Sequence, residues 1–252
     1  MLPTLEMQNI GLNYHSRDGE TVAIDDISFC VNKNEFVGIV GPSGCGKTTL
    51  LSLISGILTP SHGQVLIEGK NTKDKSARIG YMFQRDLLFP WRTILQNVNL
   101  GAELTNDKSQ KTKQKTISLL KKYGIYDFCN KYPHELSGGM RQRVALIRTL
   151  VLNPQILLLD EPFGALDYQT RQNVIDDISN IIKNENMTSL LVTHDITEAI
   201  SMCDRVIVLS PRPSFVQKVI DIQLDKTKPP SQRKTQKRFF EYQTQIWKEL
   251  GQ

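Results

Sequence analysis

The order of apolar and polar positions divides this chain into strand-like and helix-like segments. Residues 21–31 alternate as a half-buried strand does, and residues 36–40 form a short apolar run typical of a buried strand. Residues 47–57 carry apolar side chains at helical spacing, which predicts a helix. Its apolar face would consist of Leu50, Leu51, Ile54 and Ile57. Residues 64–67 and 79–83 are predicted to be further strands.

A change of pattern between about residues 87 and 152 predicts a helical insert in an α/β core. Helical spacing dominates there, and residues 108–122 carry six lysines, which we interpret as the solvated face of a helix. Strands and helices alternate again after the insert, at residues 156–160, 174–182, 190–193 and 206–209. Such alternation is typical of a parallel sheet covered by helices.

The end of the chain is predicted to be a linker followed by a helix. Residues 226–230 form the linker, and Ser231 is placed to cap the helix. The apolar residues of this helix are Phe239, Phe240, Ile246, Trp247 and Leu250. We expect the helix to pack on its own domain or on a partner, with a membrane-surface helix as the alternative.

Composition and charge are those of an ordinary folded protein. The 252 residues are 39% hydrophobic, and no apolar run approaches the ~18 residues of a membrane span. The first residues lack the basic and apolar regions of a secretory signal, so we expect a cytosolic protein with reduced thiols at Cys30, Cys45, Cys129 and Cys203. Residues 226–252 hold seven Lys or Arg and two Glu, so they account for the whole net charge of +5. The overall charge is therefore a poor indication of a nucleic-acid partner.

A glycine-rich turn after residues 36–40 matches the phosphate-binding pattern G-x-x-x-x-G-K-[ST]. Glycines let backbone N–H groups close around phosphates, and the positive end of the following helix adds to the attraction. Lys47 supplies a charge for the β- and γ-phosphates, and Thr48 supplies a hydroxyl for Mg²⁺. The predicted nucleotide-binding residues of the turn are Gly41, Pro42, Ser43, Gly44, Cys45, Gly46, Lys47, Thr48 and Thr49.

Two acids, Asp160 and Glu161, stand at the end of the predicted strand 156–160. Ligand sites in open α/β sheets lie at the carboxyl ends of the strands. Asp160 is placed to hold Mg²⁺ through its water shell, because this ion gives up water reluctantly. Glu161 is placed to polarise an attacking water.

A second candidate anion-binding segment consists of Ser137, Gly138, Gly139 and Met140. A serine with two glycines before a helix suits an anion, although an ordinary helix cap has the same composition. One nucleotide does not need two such loops in one subunit. The surplus suggests that Ser137 and Gly139 bind a nucleotide held by another subunit.

Residues 136–140, with the Arg-Gln-Arg that follows, resemble the signature motif of ABC-type ATPases, and the order of the motifs is that of the family. The resemblance covers about residues 4–222. It implies an α/β fold, a P-loop NTPase core with an N-terminal antiparallel β subdomain and a helical insert. The implied domains are a nucleotide-binding domain at 4–225, with its insert at about 87–152, and a basic linker and helix at 226–252. ATP and Mg²⁺ are the implied cofactors.

The same resemblance implies roles for residues outside the two loops. Gln84 is similar to the glutamine that contacts Mg²⁺ and couples to a membrane partner, and His194 to the switch histidine that contacts the γ-phosphate. Tyr14 is similar to the aromatic residue on which adenine stacks, with Val22 beside the adenine edge, and Asp167 lies in a segment similar to the D-loop. The implied catalytic residues are Glu161, His194, Lys47 and Gln84, and the implied metal ligands are Thr48, Gln84 and Asp160.

Two positions depart from the family pattern. Gly164 stands where the residue before the D-loop is often Ser, which removes a possible side-chain hydrogen bond across the dimer. Met140 is the fifth residue of the signature, where Gln is common. Neither change affects the two acids, so the implied reaction is unchanged.

The segment after Gln84, residues 85–94, is unusually apolar for a loop. An exposed cluster there would suit a partner, whereas the alternative is burial within the insert. Residues 84–98, 132–150 and 160–171 are similar to ATPases of nitrate, sulfonate and taurine importers. This similarity implies an importer of a small solute, such as one of these anions.

The implied partners are transmembrane permease subunits, a second copy of the chain across the ATP sites and, indirectly, an extracytoplasmic solute-binding protein. No nucleic acid is expected, and the implied location is the cytoplasmic face of the cell membrane, as a peripheral protein. The alternatives are a soluble ABC-type ATPase that acts on ribosomes or nucleic acid, a non-enzymatic regulatory module, and an energising subunit of an exporter.

Overall fold

The strands form two β-sheets in the computed structural model, which describes residues 2–16, 19–74 and 77–251. The strands are β1 (Leu5–Ser16), β2 (Gly19–Val31), β3 (Phe36–Val40), β4 (His62–Ile67), β5 (Lys70–Asn71), β6 (Ile79–Met82), β7 (Ile156–Asp160), β8 (Ser189–Val192), β9 (Arg205–Leu209) and β10 (Val216–Asp221). The α-helices are α1 (Lys47–Ile54), α2 (Ile94–Val98), α3 (Leu100–Leu104), α4 (Gln110–Lys122), α5 (Gly138–Leu150), α6 (Tyr168–Asn184), α7 (Ile196–Met202), α8 (Pro230–Arg233) and α9 (Lys237–Glu249). Short 3₁₀ turns cover Thr72–Asp74, Tyr126–Phe128 and Pro133–Glu135. Residues 17, 18, 75 and 76 of the predicted domain, and Gln252 of the predicted tail, lie outside the described residues.

The N-terminal sheet is antiparallel, as predicted. Its strand order is β2-β1-β4-β5, and β1 pairs with β2 on one side and β4 on the other. The larger sheet has the order β10-β9-β3-β8-β7-β6. Its strands from β9 to β6 are parallel, and β10 is antiparallel to β9. The carboxyl ends of β3, β6, β7 and β8 therefore lie along one edge of the sheet. The loops that begin at these four ends contain predicted site residues.

The larger sheet is buried on both faces. Along β3, Phe36 and Val40 face the core that contains α5, α6 and α7, whereas Val37 and Ile39 face a second core shared with α1 and the N-terminal sheet. The same alternation holds in β7, β8 and β9. A parallel strand covered on both faces is apolar throughout, which explains why these strands read as continuous apolar runs.

The helical insert lies between β6 and β7 and consists of α2 to α5. One detail of the predicted helix at 47–57 is wrong. Helix α1 ends at Ile54, since Ser55 and the left-handed Gly56 (φ 73°) close it, and Ile57 is 69% exposed. The glycine takes a conformation that ends helices, so Ile57 does not share the apolar face.

The tail folds back on the same chain. The prediction that Ser231 caps the last helix is wrong, because Ser231 lies inside α8 and binds Asp176 of α6 through its N–H and its hydroxyl, at 2.9 and 2.6 Å. Helix α9 begins after Gln236 and buries Phe239 and Ile246 in the larger core. Within the described ranges, none of the helices has the length and apolar character that a membrane crossing requires.

Candidate nucleotide-binding site

The glycine-rich turn joins β3 to α1. Gly44 and Gly46 have φ angles of 76° and 101°, a region that favours glycine, and Gly46 stands at the N-terminus of α1. The Cys45 thiol is buried against Gly41, and burial raises its pKa. The outer residues of the turn are Pro42, Ser43 and Gly44, and Thr48 and Thr49 lie in the first turn of α1.

Lys47 is the charged residue of this turn. Its side chain is buried, and Nζ donates to the carbonyl oxygens of Gly41 and Pro42 at 2.8 and 2.9 Å. Among the described residues, no carboxylate forms an ion pair with it. A buried ammonium group without a counter-charge is costly, and a bound phosphate would supply that charge.

Asp160, the last residue of β7, lies next to the glycine-rich turn. Thr48 Oγ1 donates to its Oδ1 at 3.4 Å, and the Tyr81 hydroxyl donates to its Oδ2 at 3.1 Å. Burial is the main cause that raises the pKa of Asp160, and the charge of Glu161 adds to it. Tyr81 was not among the predicted site residues; its position in the predicted strand 79–83, shortly before Gln84, was the signal available in the sequence.

Glu161 and His194 meet because β7 and β8 are adjacent. The His194 Nδ1 lies 3.1 Å from the Glu161 Oε2. Glu161 has a left-handed backbone (φ 44°), and its N–H donates to the Val192 carbonyl at 2.8 Å. The carboxylate therefore leaves the sheet edge in a fixed direction, beside the residue proposed to hold Mg²⁺.

Gln84 follows β6 and lies against Gly164. A Cβ atom at Gly164 would come within 3.1 Å of the Gln84 Nε2. A serine at position 164 would require only a small shift of the exposed Gln84 side chain. Asp167, in the same loop, caps α6 by accepting from the Thr170 N–H at 3.0 Å, and this hydrogen bond lowers the pKa of Asp167.

Tyr14 and Val22 lie on adjacent strands of the N-terminal sheet, where Tyr14 pairs with Thr21 and Asn13 with Val22. Both side chains are exposed, at 41% and 37%. The strand β2 reaches the turn just beyond Val22, because Ile24 lies 3.7 Å from the Cβ position of Gly46. Val22 is thus two residues from Ile24, which lies near the turn, and among the described residues no hydrogen bond joins Tyr14 or Val22 to the turn.

The second glycine segment lies elsewhere. Ser137 is exposed and caps α5, where its Oγ accepts from the Met140 N–H at 3.3 Å. The Cβ positions of Gly138 and Gly139 lie 3.1 Å from Leu166 and 2.7 Å from Val174, so the start of α5 packs closely on the D-loop and α6. In the described part of the chain, no hydrogen bond joins this segment to the turn at 41–49.

Two arginines on α5 hold the segment after Gln84: Arg141, which belongs to the predicted signature motif, and Arg148, which was not among the predicted residues. Arg141 Nε lies 3.0 Å from the Asp86 Oδ2, and its Nη1 donates to the Leu136 carbonyl at 2.7 Å. Arg148 donates to the carbonyl oxygens of Asp86 and Leu87, both at 2.8 Å. Helix α5, which begins with the predicted signature residues, is therefore joined by hydrogen bonds to the segment after Gln84.

The apolar segment itself is partly buried and partly exposed. Leu88 is buried in the larger core, whereas Leu87 is 50% and Trp91 71% exposed. Asn97 fixes the turn by binding both the N–H and the carbonyl of Phe89, at 2.7 and 3.1 Å. Each of the two predicted readings, exposure and burial, holds for a part of the segment.

A family model described as ABC transporter matches residues 24–164, more than half of the chain. The chain therefore belongs to the ABC transporter family, as an ABC-type ATP-binding protein with a P-loop NTPase fold.

Particular relatives extend the match over most of the chain. The ABC transporter ATP-binding protein YtlC of Bacillus subtilis is 44% identical over 98% of this chain and 95% of its own length. The nitrate import ATP-binding protein NrtD of Synechocystis is 39% identical over 96% of this chain and 93% of its own length. A dimeric ATP-binding cassette, solved in a post-hydrolysis state bound to ADP and Pi, superposes with a TM-score of 0.72 at 30% identity, over 87% of this chain and 99% of that one. Relatives named for the import of aliphatic sulfonates and taurine also match, which confirms the predicted resemblance.

Proposed function

We propose that this chain hydrolyses ATP, with Mg²⁺, as the energising subunit of an importer for a small anion. The observation that carries the proposal is the cluster at the ends of β3, β7 and β8, where Thr48, next to Lys47, meets Asp160, and Glu161 meets His194. The direction of transport and the anion are supported by relatives named for nitrate, aliphatic sulfonates and taurine import. The chain acts at the cytoplasmic face of the membrane, bound to permease subunits that receive solute from an extracytoplasmic binding protein.

The turn at 41–49 fits the phosphates of ATP. Lys47 is a buried cation without a carboxylate partner among the described residues, so it is available to the β- and γ-phosphates. The Thr48 hydroxyl and the Asp160 carboxylate are hard oxygen donors at hydrogen-bond distance from one another, which suits Mg²⁺, and Gln84 is a further candidate ligand. When bound, Mg²⁺ neutralises negative charge on the phosphate oxygens.

Glu161 acts as the residue that orients and polarises the attacking water. Its Oε2 is held by the His194 Nδ1 at 3.1 Å, so the carboxylate does not need to reorganise when the water binds. His194 holds the γ-phosphate side of the site, and Tyr14 and Val22 contact the adenine.

The site is completed by a second copy of the chain. Ser137, Gly138, Gly139 and Met140 present the N-terminus of α5 outward, and the second copy places them on the nucleotide bound by the first. Asp167 lies at this interface, next to Leu166, on which Gly138 packs. A similar solved cassette is described as dimeric.

Gln84 and the exposed Leu87 and Trp91 pass the motion of the dimer to the permease. The hydrogen bonds from Arg141 and Arg148 make this segment move with the signature helix. The permease contact and the nucleotide interface are thereby parts of one connected element.

The partners can be identified by affinity purification of a tagged copy from native membranes in mild detergent. We expect a multi-span permease and a solute-binding protein to co-purify with the wild-type chain and with Lys47→Ala. A Leu87→Ser, Trp91→Ala variant should lose the permease, and the matched variant Trp247→Ala should keep it. Recovery of ribosomal or repair proteins without a membrane chain would overturn the importer proposal.

A further inference from the structure

The His194 side chain is held in place by little besides its backbone. The side chain is 63% exposed, and its polar contact in the described part of the chain is the one to Glu161. An exposed ring is not fixed by packing, so its direction depends on how firmly residues 193–195 are held. The hydrogen bonds of those residues decide whether the ring meets Glu161.

Thr193 fixes this stretch of backbone. Its Oγ1 donates to the Glu198 Oε2 at 2.7 Å and accepts from the Asp195 N–H at 3.0 Å. The Thr193 N–H donates to the carbonyl of Ile39 at the end of β3, at 3.2 Å. This hydroxyl therefore connects Thr193 and the Asp195 N–H to α7, and the Asp195 carboxylate also binds α7 directly, accepting from the Thr197 and Glu198 N–H groups at 2.8 and 3.3 Å.

Glu198 is buried at 4% exposure in the first turn of α7, among apolar residues such as Ala199 and Ile200. Burial raises the pKa of Glu198 to about 7. In the described ranges it forms no ion pair with any Lys or Arg. An apolar side chain would fill this position at a lower free energy, so packing alone does not account for a carboxyl group here. A carboxyl group at this position accepts the hydrogen bond from Thr193, which an apolar side chain could not do.

Charged groups face Glu198 from the neighbouring elements. They are Asp195 and His194 in the loop, Arg171 on α6 and Lys234 in the tail. Arg171 also donates to the Leu166 carbonyl, at 3.0 Å, in the segment before Asp167. Glu198 therefore lies where the loop of His194, the segment of Asp167 and the tail come together.

We propose that Glu198 is a positioning residue for His194. Its hydrogen bond to the Thr193 hydroxyl holds residues 193–195 so that the imidazole Nδ1 meets the Glu161 carboxylate. The inference rests on the proposed function, because it gives Glu198 a part in the same ATPase site. Loss of the hydrogen bond lowers turnover and leaves ATP affinity nearly unchanged, because the nucleotide is bound mainly by the turn at 41–49.

Paired variants of the full chain test this assignment by kinetics. Glu198→Ala removes the acceptor, and Thr193→Val removes the donor at nearly constant shape. We expect kcat to fall about ten- to hundredfold in both, as for a small misplacement of a reacting group, with the Kd for ATP changed by less than about twofold. Glu198→Gln and Thr193→Ser keep the hydrogen bond, so they should retain most of the wild-type kcat.

The ring of His194 gives a second readout that needs no turnover. The chain has four histidines, so the His194 resonance in a ¹³C-histidine spectrum can be assigned with His194→Asn. The resonance should shift in Glu198→Ala and Thr193→Val, and should stay in Ser179→Ala, which removes a buried hydroxyl of α6.

An unshifted His194 resonance together with unchanged kcat in a folded Thr193→Val variant would overturn the proposal; folding is checked by urea unfolding. If the wild-type chain neither bound nor hydrolysed ATP, the proposed function would fail. The shift of the resonance would still support or refute the positioning role.

Discussion

The two glycine segments of this chain are similar in composition and differ in their surroundings. The turn at 41–49 lies beside Asp160 of the same chain and holds a buried lysine. The segment at 137–140 begins at the exposed Ser137, whose side chain, among the described residues, forms a hydrogen bond only within its own helix. One segment thus meets an acid of the same chain, whereas the other lies exposed at the start of α5.

The difference lies in support as well as in contacts. Gly139 packs so closely on Val174 that a Cβ atom would come within 2.7 Å of it. The start of α5 is therefore mounted firmly on α6 and presented outward. In the proposed dimer each chain contributes half of each of two ATP sites, and the variants below test that proposal in order of decreasing effect.

Replacing Glu161 with Gln should stop the reaction with the nucleotide bound. An amide accepts no proton from water, so turnover should fall by about 10²–10⁴. ATP binding should persist, and the variant should accumulate as a closed dimer. Phosphate release and size-exclusion chromatography with ATP measure the two effects. Normal hydrolysis by this variant would remove Glu161 from its proposed role.

Lys47→Ala should weaken ATP binding itself. Loss of a charge-assisted hydrogen bond costs about 1.5–3 kcal/mol, which corresponds to about ten- to a hundredfold in affinity. Calorimetric titration with ATP measures the change, and the exposed Lys33→Ala provides a control for net charge. Unchanged affinity would contradict the proposed role of the turn.

Mixing two inactive variants tests whether the two segments act across copies. Lys47→Ala damages the turn, and Ser137→Arg blocks the exposed segment, so each variant alone should be inactive. Random pairing gives mixed dimers with one intact site, so an equal mixture should recover about a quarter of wild-type ATPase activity. A mixture no more active than its components would show that both segments serve one chain.

The buried Glu198 should make the free energy of unfolding of the chain depend on pH. The pKa of Glu198 is about 7 in the folded chain against an ordinary 4.5, so protonation favours the folded state. This contribution is complete below pH 4.5 and is lost as the pH rises to about 7, by up to about 3 kcal/mol. The free energy of unfolding in urea, compared between pH 5 and pH 7.5, should fall less in Glu198→Gln than in the wild type. Equal falls in both chains would contradict this origin of the pH dependence.

Much of the fold could be predicted because its signals are local. The apolar runs of β3 and β7, and the glycine turn between strand and helix, are visible within a few residues. The meeting of Glu161 with His194 followed only once strand order placed β7 beside β8. The structure brings together most of the residues that the motifs indicated, whereas their chemical roles remain predictions.

The features that the sequence analysis missed depend on distant partners. Serine is a residue type that often caps helices, but the Ser231 hydroxyl binds Asp176, 55 residues earlier in the chain. Arg148 looked like an ordinary helix residue, and its contacts with the carbonyl oxygens of Asp86 and Leu87 depend on how α5 packs. Single-sequence patterns carry no information on such pairs, because neither member has an unusual neighbourhood of its own.

The exposure of Trp91 allows the intrinsic fluorescence of the chain to report on binding of a partner. Trp91 and Trp247 are its two tryptophans, and the former is 71% exposed in the segment proposed to meet the permease. In a Trp247→Phe variant all indole emission would come from Trp91. Its emission would lie at the long wavelengths of a hydrated indole and would move to shorter wavelengths when a membrane partner covers the ring. Assembly of the complex could then be followed in real time without a label.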